Sequence, residues 1–421
     1  MTTTPDAPIR KKLIEVSIPL EDINAASAHE KSVPRKGHPA TMHLWWAPRP
    51  LAAARAVLFA QLVDDPSSDP ALNEQQQKAE RERLHNIIRR LVKWENINNE
   101  TLLREAHAEI VKSSGGRLPT ILDPFAGGGT IPLEAQRLGL HAQGSDLNPV
   151  PVLKTKALIE IPPTFSGRPP VFPGAADTKL GEWPRATGLA EDVRRYGTWM
   201  REQAKERIGH LYPDATILDD KTGRTSTATT IAWIWARTAT CPNPACGIEM
   251  PLVRSWWLGK KKGKEAYVMP TVVDDGVTPG GRRIEFTIGH DLRVAPTKAD
   301  DGTVTGGTAT CVACQAAAPS SYLREQAQSV GLGTTLLAIV AEGHRRRAYT
   351  APTAEHRRAA KMDRPSSAPE QKVPTPNHDV DRLPMYGMPR WSDAFTNRQL
   401  VALTTFSDLV GEARERVLKE G

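Results

Sequence analysis

Cysteine is scarce: four residues, Cys241, Cys246, Cys311 and Cys314, in a chain of 421. A secreted scaffold stapled by disulfides would use more of them in a shorter chain, so that class is excluded. Long apolar runs are missing too. The longest, near Leu332–Ala341, falls far short of the ~18 residues that a membrane span needs. Met1–Lys12 carries charges with no apolar run behind them, which excludes a secretion signal. No internal repeat is found. These absences lead to the expectation of a soluble, cytoplasmic protein, and the length of 421 residues to roughly two to three domains.

Charge of one sign is not strongly dominant. The net charge is +7 with a pI near 9.2, a mild basic excess that suits a polyanionic partner without singling one out. Aromatic residues make up only 5% of the chain, yet ten of them are tryptophans. Six of these cluster as Trp45-Trp46, Trp233/Trp235 and Trp256-Trp257. Tryptophans are mostly packing residues, so they are read as core.

Patterning divides the chain into six segments. Residues 1–63 hold a short apolar segment, a basic stretch with Lys31, Arg35 and Lys36, and then His43-Leu-Trp-Trp-Ala-Pro-Arg-Pro-Leu51. From Pro50, the spacing of Leu51, Ala54, Val57, Leu58 and Leu62 predicts a helix with proline in its first turn. Residues 64–117 form a helical insert of two charged amphipathic helices, about 73–94 and 98–114, ended by Gly115-Gly116. Residues 118–162 read as a buried strand (Leu118–Leu122), a helix (Thr130–Leu138), a strand (141–145) and a helix (Pro149–Ile159). That order is the first part of a parallel α/β core. Residues 163–230 supply a proline-rich linker and a helix over Leu189–Ile208. Residues 231–350 switch to short strands with glycine turns: Ile231–Ala236, Ala266–Val273, Arg283–Ile288, and a hairpin Leu336–Ala341/Arg346–Tyr349. Residues 351–421 combine a proline-rich irregular stretch (363–390) with a final helix, Thr396–Lys419, capped by Thr396 and still running where the sequence stops.

The sharpest catalytic clue is Ile121-Leu-Asp-Pro-Phe-Ala-Gly-Gly-Gly-Thr130, between a strand and a helix. Glycines there let backbone pass close beneath a ligand where a Cβ would collide. An aspartate at the strand's end can meet an ammonium group. Downstream, Gly144-Ser-Asp146-Leu-Asn-Pro149 puts a carboxylate at the tip of the second strand, where α/β nucleotide folds hold ribose hydroxyls. A dinucleotide dehydrogenase would share the spacing from Gly127 to Asp146. Its third glycine, however, would fall on Pro132, and Asp123-Pro124 has no part in cradling a pyrophosphate.

Cys241-Pro-Asn-Pro-Ala-Cys246 and Cys311-Val-Ala-Cys314 are two short-spaced pairs. Two such knuckles complete a closed four-sulfur zinc shell with no open position, so the expected Zn²⁺ is structural. Between them, Ser255-Trp-Trp-Leu-Gly-Lys-Lys-Lys-Gly-Lys264 forms a predicted tip. Lys260, Lys261, Lys262 and Lys264 suit phosphate contacts, with Trp256 and Trp257 packing beneath or stacking on bases. A solvated hairpin tip over an ordinary aromatic core reads slightly better for such a run, and Arg345-Arg346-Arg347 is no stronger.

Asp-Pro-Phe-x-Gly-x-Gly-Thr followed by Ser-Asp-Leu-Asn-Pro resembles the cofactor motifs of amino-group DNA methyltransferases. Together with the Trp-Trp segment and the paired cysteines, the layout is similar to the N-terminal portion of large adenine-specific DNA methylases containing a zinc ribbon. The resemblance runs from about Lys11 onward. It implies a Rossmann-like S-adenosylmethionine-dependent methyltransferase core (α/β) with an inserted zinc-ribbon β module and helical additions. It also implies an S-adenosyl-L-methionine site at Asp123, Pro124, Phe125, Ala126, Gly127, Gly129, Thr130, Asp146 and Asn148. Arg49, before the helix start at Leu51, resembles the motif that packs against the methionine end; a surface charge beside a helix is the alternative.

The implied reaction is methyl transfer to the exocyclic nitrogen of adenine in DNA, serving restriction-modification, phage defence or regulation. Such enzymes carry Asp/Asn-Pro-Pro-Tyr, whose polar group and carbonyl accept from the target amine while the ring stacks on a flipped base. No such tetrapeptide occurs here; Ile161-Pro-Pro-Thr164 lacks both the polar group and the ring. A truncated or split methylase is therefore expected, in which a second chain supplies that motif. A non-enzymatic zinc-ribbon DNA-binding subunit and an RNA methyltransferase are the alternatives.

Overall fold

The computed structural model describes residues 10–32, 37–46, 48–179, 181–218, 223–276, 281–343, 346–374 and 382–421. Arg35, Lys36 and Arg345 of the basic runs lie outside them. The chain divides into two compact units, residues 1–193 and 194–421. No described helix is long and apolar enough to cross a membrane.

The first unit begins with α1 (Leu13–Val16), α2 (Leu20–Ser32), α3 (Leu51–Leu62), α4 (Glu74–Leu91) and α5 (Glu100–Ser113). Leu51, Ala52, Ala56, Phe59 and Ala60 of α3 are all buried. A helix so uniformly apolar belongs inside the unit, with others around it. Around it, Leu13, Ile23, Leu84, Ile87, Ile88, Leu91, Leu102 and Ile110 complete a single core with α1, α2, α4 and α5. Pro50 stands at the N-cap of α3, one residue earlier than its predicted place in the first turn. α4 and α5 start where asparagine side chains, Asn73 and Asn99, accept from the amides of Gln76 and Leu102. α2 lies between the short apolar segment and the basic stretch, which it enters only at Lys31, and no helix was read there.

Then come β1 (Ile121–Asp123), α6 (Thr130–Arg137), β2 (Ala142–Gly144), α7 (Pro149–Ile159) and α8 (Ile161–Thr164). β1 and β2 pair in parallel, Ile121 with Ala142 and Asp123 with Gly144, so β1–α6–β2 is a crossover unit. Ile121 and Ala142 pack onto the helical core, which also takes Ala135, Leu138 and Leu140. The expectation of a buried strand is corrected on one side: Leu122 is 66% exposed. Alternate residues of a strand face opposite ways, and here the helical core covers a single face. Among the described residues the parallel sheet has two strands.

α9 (Thr187–Ile208) leads into the second unit. That unit contains β3 (Ala215–Leu218), β4 (Thr225–Ala228), β5 (Thr230–Thr240), β6 (Glu249–Leu252), β7 (Trp257–Gly259), β8 (Ala266–Asp274) and β9 (Arg282–Gly289). After these come β10 (Val304–Thr305), β11 (Thr308–Thr310), β12 (Ala317–Ala318), α10 (Ser320–Ser329), β13 (Gly333–Gly343), β14 (Arg346–Thr350), α11 (Ala354–Ala360) and α12 (Asn397–Glu420). The described strands make an antiparallel β14-β13-β5-β6 sheet, two three-stranded sheets, β7-β8-β9 and β10-β11-β12, and the β3-β4 pair. The protein is thus a mixed helix and sheet structure built on small sheets. β5 and β13 run longer than predicted because they pair along most of their length, with bulges near Ala338 and Ala341. Thr396 caps α12 as expected, in a reciprocal box with Gln399. The α10 helix went unread.

Candidate functional site

The glycine loop occupies the tips of the two parallel strands. The Ser145 amide donates to the Asp123 carbonyl at 2.9 Å and the Ala126 amide to the Ser145 carbonyl at 2.9 Å, which ties the two strand ends together. The Asp146 carboxylate accepts from the Gly127 amide at 2.9 Å through one oxygen and from the Asn148 amide at 2.9 Å through the other. Asp123 accepts from the Phe125 amide at 3.2 Å. Gly127 and Gly129 hold φ of +47° and +76°, a region that favours glycine. Both are also crowded. A Cβ on Gly127 would stand 3.0 Å from Trp45 Nε1, and one on Gly129 would stand 2.7 Å from Thr155 Oγ1. At Gly144, a Cβ would meet Pro132 Cγ at 3.1 Å and Ala126 Cβ at 3.2 Å. Pro132, where a dinucleotide fingerprint would have glycine, therefore packs α6 tightly on β2.

Most of the residues singled out in the sequence thus meet at one corner: Asp123, Ala126, Gly127, Gly129, Thr130 and Asp146. Thr130 Oγ1 donates to the Arg49 carbonyl at 3.2 Å, which brings the Arg-Pro-Leu stretch to the first turn of α6. Pro124 is exposed, and the Phe125 ring is 87% exposed. Asn148 caps α7 by accepting from the Val150 amide at 3.0 Å. The Arg49 side chain is exposed. The helix start beside it, expected to receive a ligand's carboxylate, holds Glu30 instead, which accepts from the Leu51 and Ala52 amides at 2.9 and 3.0 Å.

Three residues of this corner were missed. Trp45, read as core, lies against Gly127 and Gly128. Lys154 and Thr155, on α7, are 6% and 5% exposed. Lys154 Nζ stands 3.4 Å from the position of a Cβ on Gly128, and Thr155 Oγ1 has no hydrogen-bond partner. Pro151, Lys154 and Thr155 share the buried face of α7, whereas Val150, Val152 and Leu153 are exposed, so apolar periodicity gave no signal for it. Trp45 sits in irregular backbone, where no periodicity reports on a side chain.

The four cysteines form the second centre. Their sulfurs all lie within 4.8 Å of one another, with Cys241–Cys314 at 3.5 Å and Cys246–Cys311 at 3.9 Å. Four sulfurs at about 2.3 Å from a zinc ion stand about 3.8 Å apart along each edge of the tetrahedron. The cluster could hold a metal such as zinc. Each pair sits on a backbone knuckle: the Cys246 amide donates to the Asn243 carbonyl at 2.9 Å, and the Cys311 amide to the Ala316 carbonyl at 2.9 Å. Burial pushes the Cys241 thiol up to about 12, whereas the Ala316 backbone bond brings Cys314 to about 7. Ile248, Met250, Ala309 and Leu323 pack around the cysteines.

Lys260, Lys261, Lys262 and Lys264 are exposed at the β7–β8 tip. Lys260 stands over the Trp257 ring at 5.5 Å and 3.6 Å from Asp301. Trp257 donates to the Pro296 carbonyl, and Trp256, 5% exposed, packs on Phe286. Trp256 is therefore core and offers no face for stacking. Trp46, by contrast, is 81% exposed, which corrects its reading as core. Trp233 stacks on Trp235 and lies 3.9 Å beneath the Arg398 guanidinium.

Ile161-Pro-Pro-Thr164 is α8, a single helical turn whose Thr164 hydroxyl donates to the Glu160 carbonyl. A cleft of about 710 Å³ in the first unit lies among Asp64, Asp65, Glu80, Arg83 and Glu109, and none of the glycine-loop residues lines it. Its charges are largely paired internally, Arg83 with Glu80 and Glu109, and Asp64 with Lys12.

No curated protein and no solved structure matches the chain. One family model does, over residues 17–87, and its description is a protein of unknown function, DUF1156. The matched stretch contains Trp45, Arg49 and α3, which are the parts that approach the glycine loop.

Proposed function

We propose that the β1–α6–β2 corner binds S-adenosyl-L-methionine and that the chain is the cofactor-binding part of an adenine-specific DNA methyltransferase with a Rossmann-like core. The observation that carries the reading is the Asp146–Gly127 hydrogen bond. It draws the glycine backbone toward a carboxylate at the adjacent strand tip, so that bare backbone and a ribose acceptor share one corner. Glycine at 127 and 129 is what keeps this loop shape possible, since both hold positive φ and a Cβ at either would collide with Trp45 or Thr155.

When bound, the cofactor supplies an electrophilic methyl group. The residues here would do the rest by position. Asp146 would accept from ribose hydroxyls, Asp123 would face the amino-acid ammonium, and the loop amides at the start of α6 would line the methionine end. The exposed Phe125 ring offers an apolar cover. Activation of the acceptor amine is a separate task, for which the 421 residues hold no Asp/Asn-Pro-Pro-aromatic segment. We assign it to a polypeptide segment outside these residues. A structural zinc in the cysteine cluster would fix the strands of the second unit, and the lysine tip would meet DNA phosphates.

Calorimetry on zinc-loaded protein tests the cofactor assignment: S-adenosylhomocysteine should release heat and a nicotinamide dinucleotide should not. The reverse pattern overturns it. The acceptor is tested by adding a polypeptide that carries the missing motif, then comparing label transfer to duplex DNA and to RNA. RNA as the better acceptor would replace the DNA reading.

A further inference from the structure

We infer that Lys154 is the anion-recognising residue of the glycine-loop site, and that the anion it takes is the carboxylate at the amino-acid end of the ligand. The inference rests on the cofactor reading above and adds a residue that no motif supplied.

A lysine that is 94% buried without a carboxylate beside it is unusual, because an ammonium taken from water must be compensated. Lys154 makes no ion pair and no hydrogen bond among the described residues. Burial alone holds it below the ordinary lysine range, with no acid contributing in the other direction. Its neighbours on the loop side are Gly128 and, across it, Trp45. Thr155, the next residue, brings a second buried polar atom without a partner to the same corner, against Gly129. Two uncompensated polar groups therefore converge where the first amides of α6 also collect positive potential.

The location also answers a question left by α3. A ligand carboxylate cannot use the Leu51 and Ala52 amides while Glu30 holds them. Lys154 is a cation at the loop itself that lacks a counter-ion. A folded protein keeps such a group when a ligand completes it.

The experiment uses the full zinc-loaded chain and three forms of it, unmodified, Lys154→Met and Lys154→Arg, with Arg49→Met alongside. Each is titrated calorimetrically with S-adenosylhomocysteine and with methylthioadenosine, which lacks the amino-acid carboxylate. Lys154→Met should weaken the first ligand roughly tenfold to a hundredfold, the range for one charge-assisted hydrogen bond. It should leave the second within about twofold, and Lys154→Arg should recover part of the loss. Equal loss for both ligands, no loss for either, or a carboxylate-specific loss in Arg49→Met but not in Lys154→Met overturns the assignment. Binding of neither ligand by the unmodified chain overturns the cofactor reading and this one with it. Binding of both, unaffected by Lys154→Met, removes only Lys154. Should Lys154→Met not fold, the unmodified chain decides: the Lys154 amine, followed by NMR, should titrate higher with S-adenosylhomocysteine and not with methylthioadenosine. An unmoved titration refutes the inference.

Discussion

The Glu30 carboxylate caps α3 through the Leu51 amide, at 2.9 Å, across 21 residues of sequence. The same carboxylate also reaches the Ala52 amide and His38 Nε2, each at 3.0 Å. Pro50, at the N-cap, has no side-chain acceptor to offer these amides, so the helix borrows its cap from α2. Glu30→Ala should lower stability to urea by about 1–2 kcal/mol, the usual range for a lost cap. Glu30→Gln should lose less, because an amide oxygen still accepts. An unchanged urea midpoint in Glu30→Ala would show that the cap is dispensable.

Arg55 and Glu134 form an ion pair at 2.5 Å with side chains 2% and 0% exposed. Arg55 donates further to the Leu91 carbonyl, and Arg137 reaches Glu134 at 3.1 Å. The pair joins α3 to α6 beneath the glycine loop. Removing one partner leaves a buried charge alone, so Glu134→Leu should cost about 3–5 kcal/mol. The double variant Arg55→Met/Glu134→Leu should cost clearly less, because the fully buried guanidinium is gone and only Arg137, which lies nearer solvent, is left without its carboxylate. Equilibrium unfolding of the four forms gives the coupling directly; additive losses would contradict it.

The elements that could be read from the sequence were those with local determinants. Thr396, Asn148 and Pro149 announce the starts of α12 and α7 through capping and the fixed φ of proline, and both helices begin there. The strand-loop-helix around Asp123 and the two cysteine knuckles were likewise visible, because short spacing constrains geometry. What depended on distant partners was not. α2 lacks a strong apolar face, with Ile23 its sole buried residue, so periodicity gave no signal. Trp45 and Lys154 reach the site only through tertiary packing. Glu30 took the start of α3 from elsewhere in the chain, against the expectation that the Arg49 segment keeps those amides for a ligand.

The acid limb of stability has an identifiable contributor in Asp65. Burial pushes its carboxyl up, but two bonds from Arg81 at 2.7 Å and one from the Ser67 amide outweigh that and hold it below its ordinary 3.8. A carboxylate whose folded pKa is depressed contributes stability above its unfolded pKa and loses it as pH falls through the folded one. Asp65→Asn should therefore be less stable than the unmodified chain by a constant margin from pH 7 down to about pH 5, with the gap closing below about pH 4. Urea midpoints across that range check it. A gap that stays open to pH 2 would rule out the Arg81 pairing as its source.

The cysteine cluster makes a metal-dependence prediction confined to the second unit. Purified protein should contain one zinc per chain, and Cys241→Ser or Cys314→Ser should abolish retention. Chelation should remove on the order of 10 kcal/mol of folding free energy from strands β5, β6, β11 and β12 around the site. The first unit has its own core and should keep its hydrogen-exchange protection. Protection unchanged in the second unit after complete chelation would mean that its strands stand without metal.

The lysine tip is testable through salt. Lys260, Lys261, Lys262 and Lys264 are exposed on the β7–β8 turn, and Trp257 and Asp301 already engage Lys260. Each phosphate contact contributes about 0.9 to the slope of log affinity against log salt for duplex DNA. Replacing Lys261, Lys262 and Lys264 by glutamine should therefore flatten that slope by about 2–3. It should also weaken binding to unrelated sequences alike, because phosphate contacts carry no base information. Lys260→Gln alone should do less, since its ammonium is shared with the ring and the carboxylate. An unaltered salt slope in the triple variant would leave the turn as a solvated tip and move the nucleic-acid surface elsewhere.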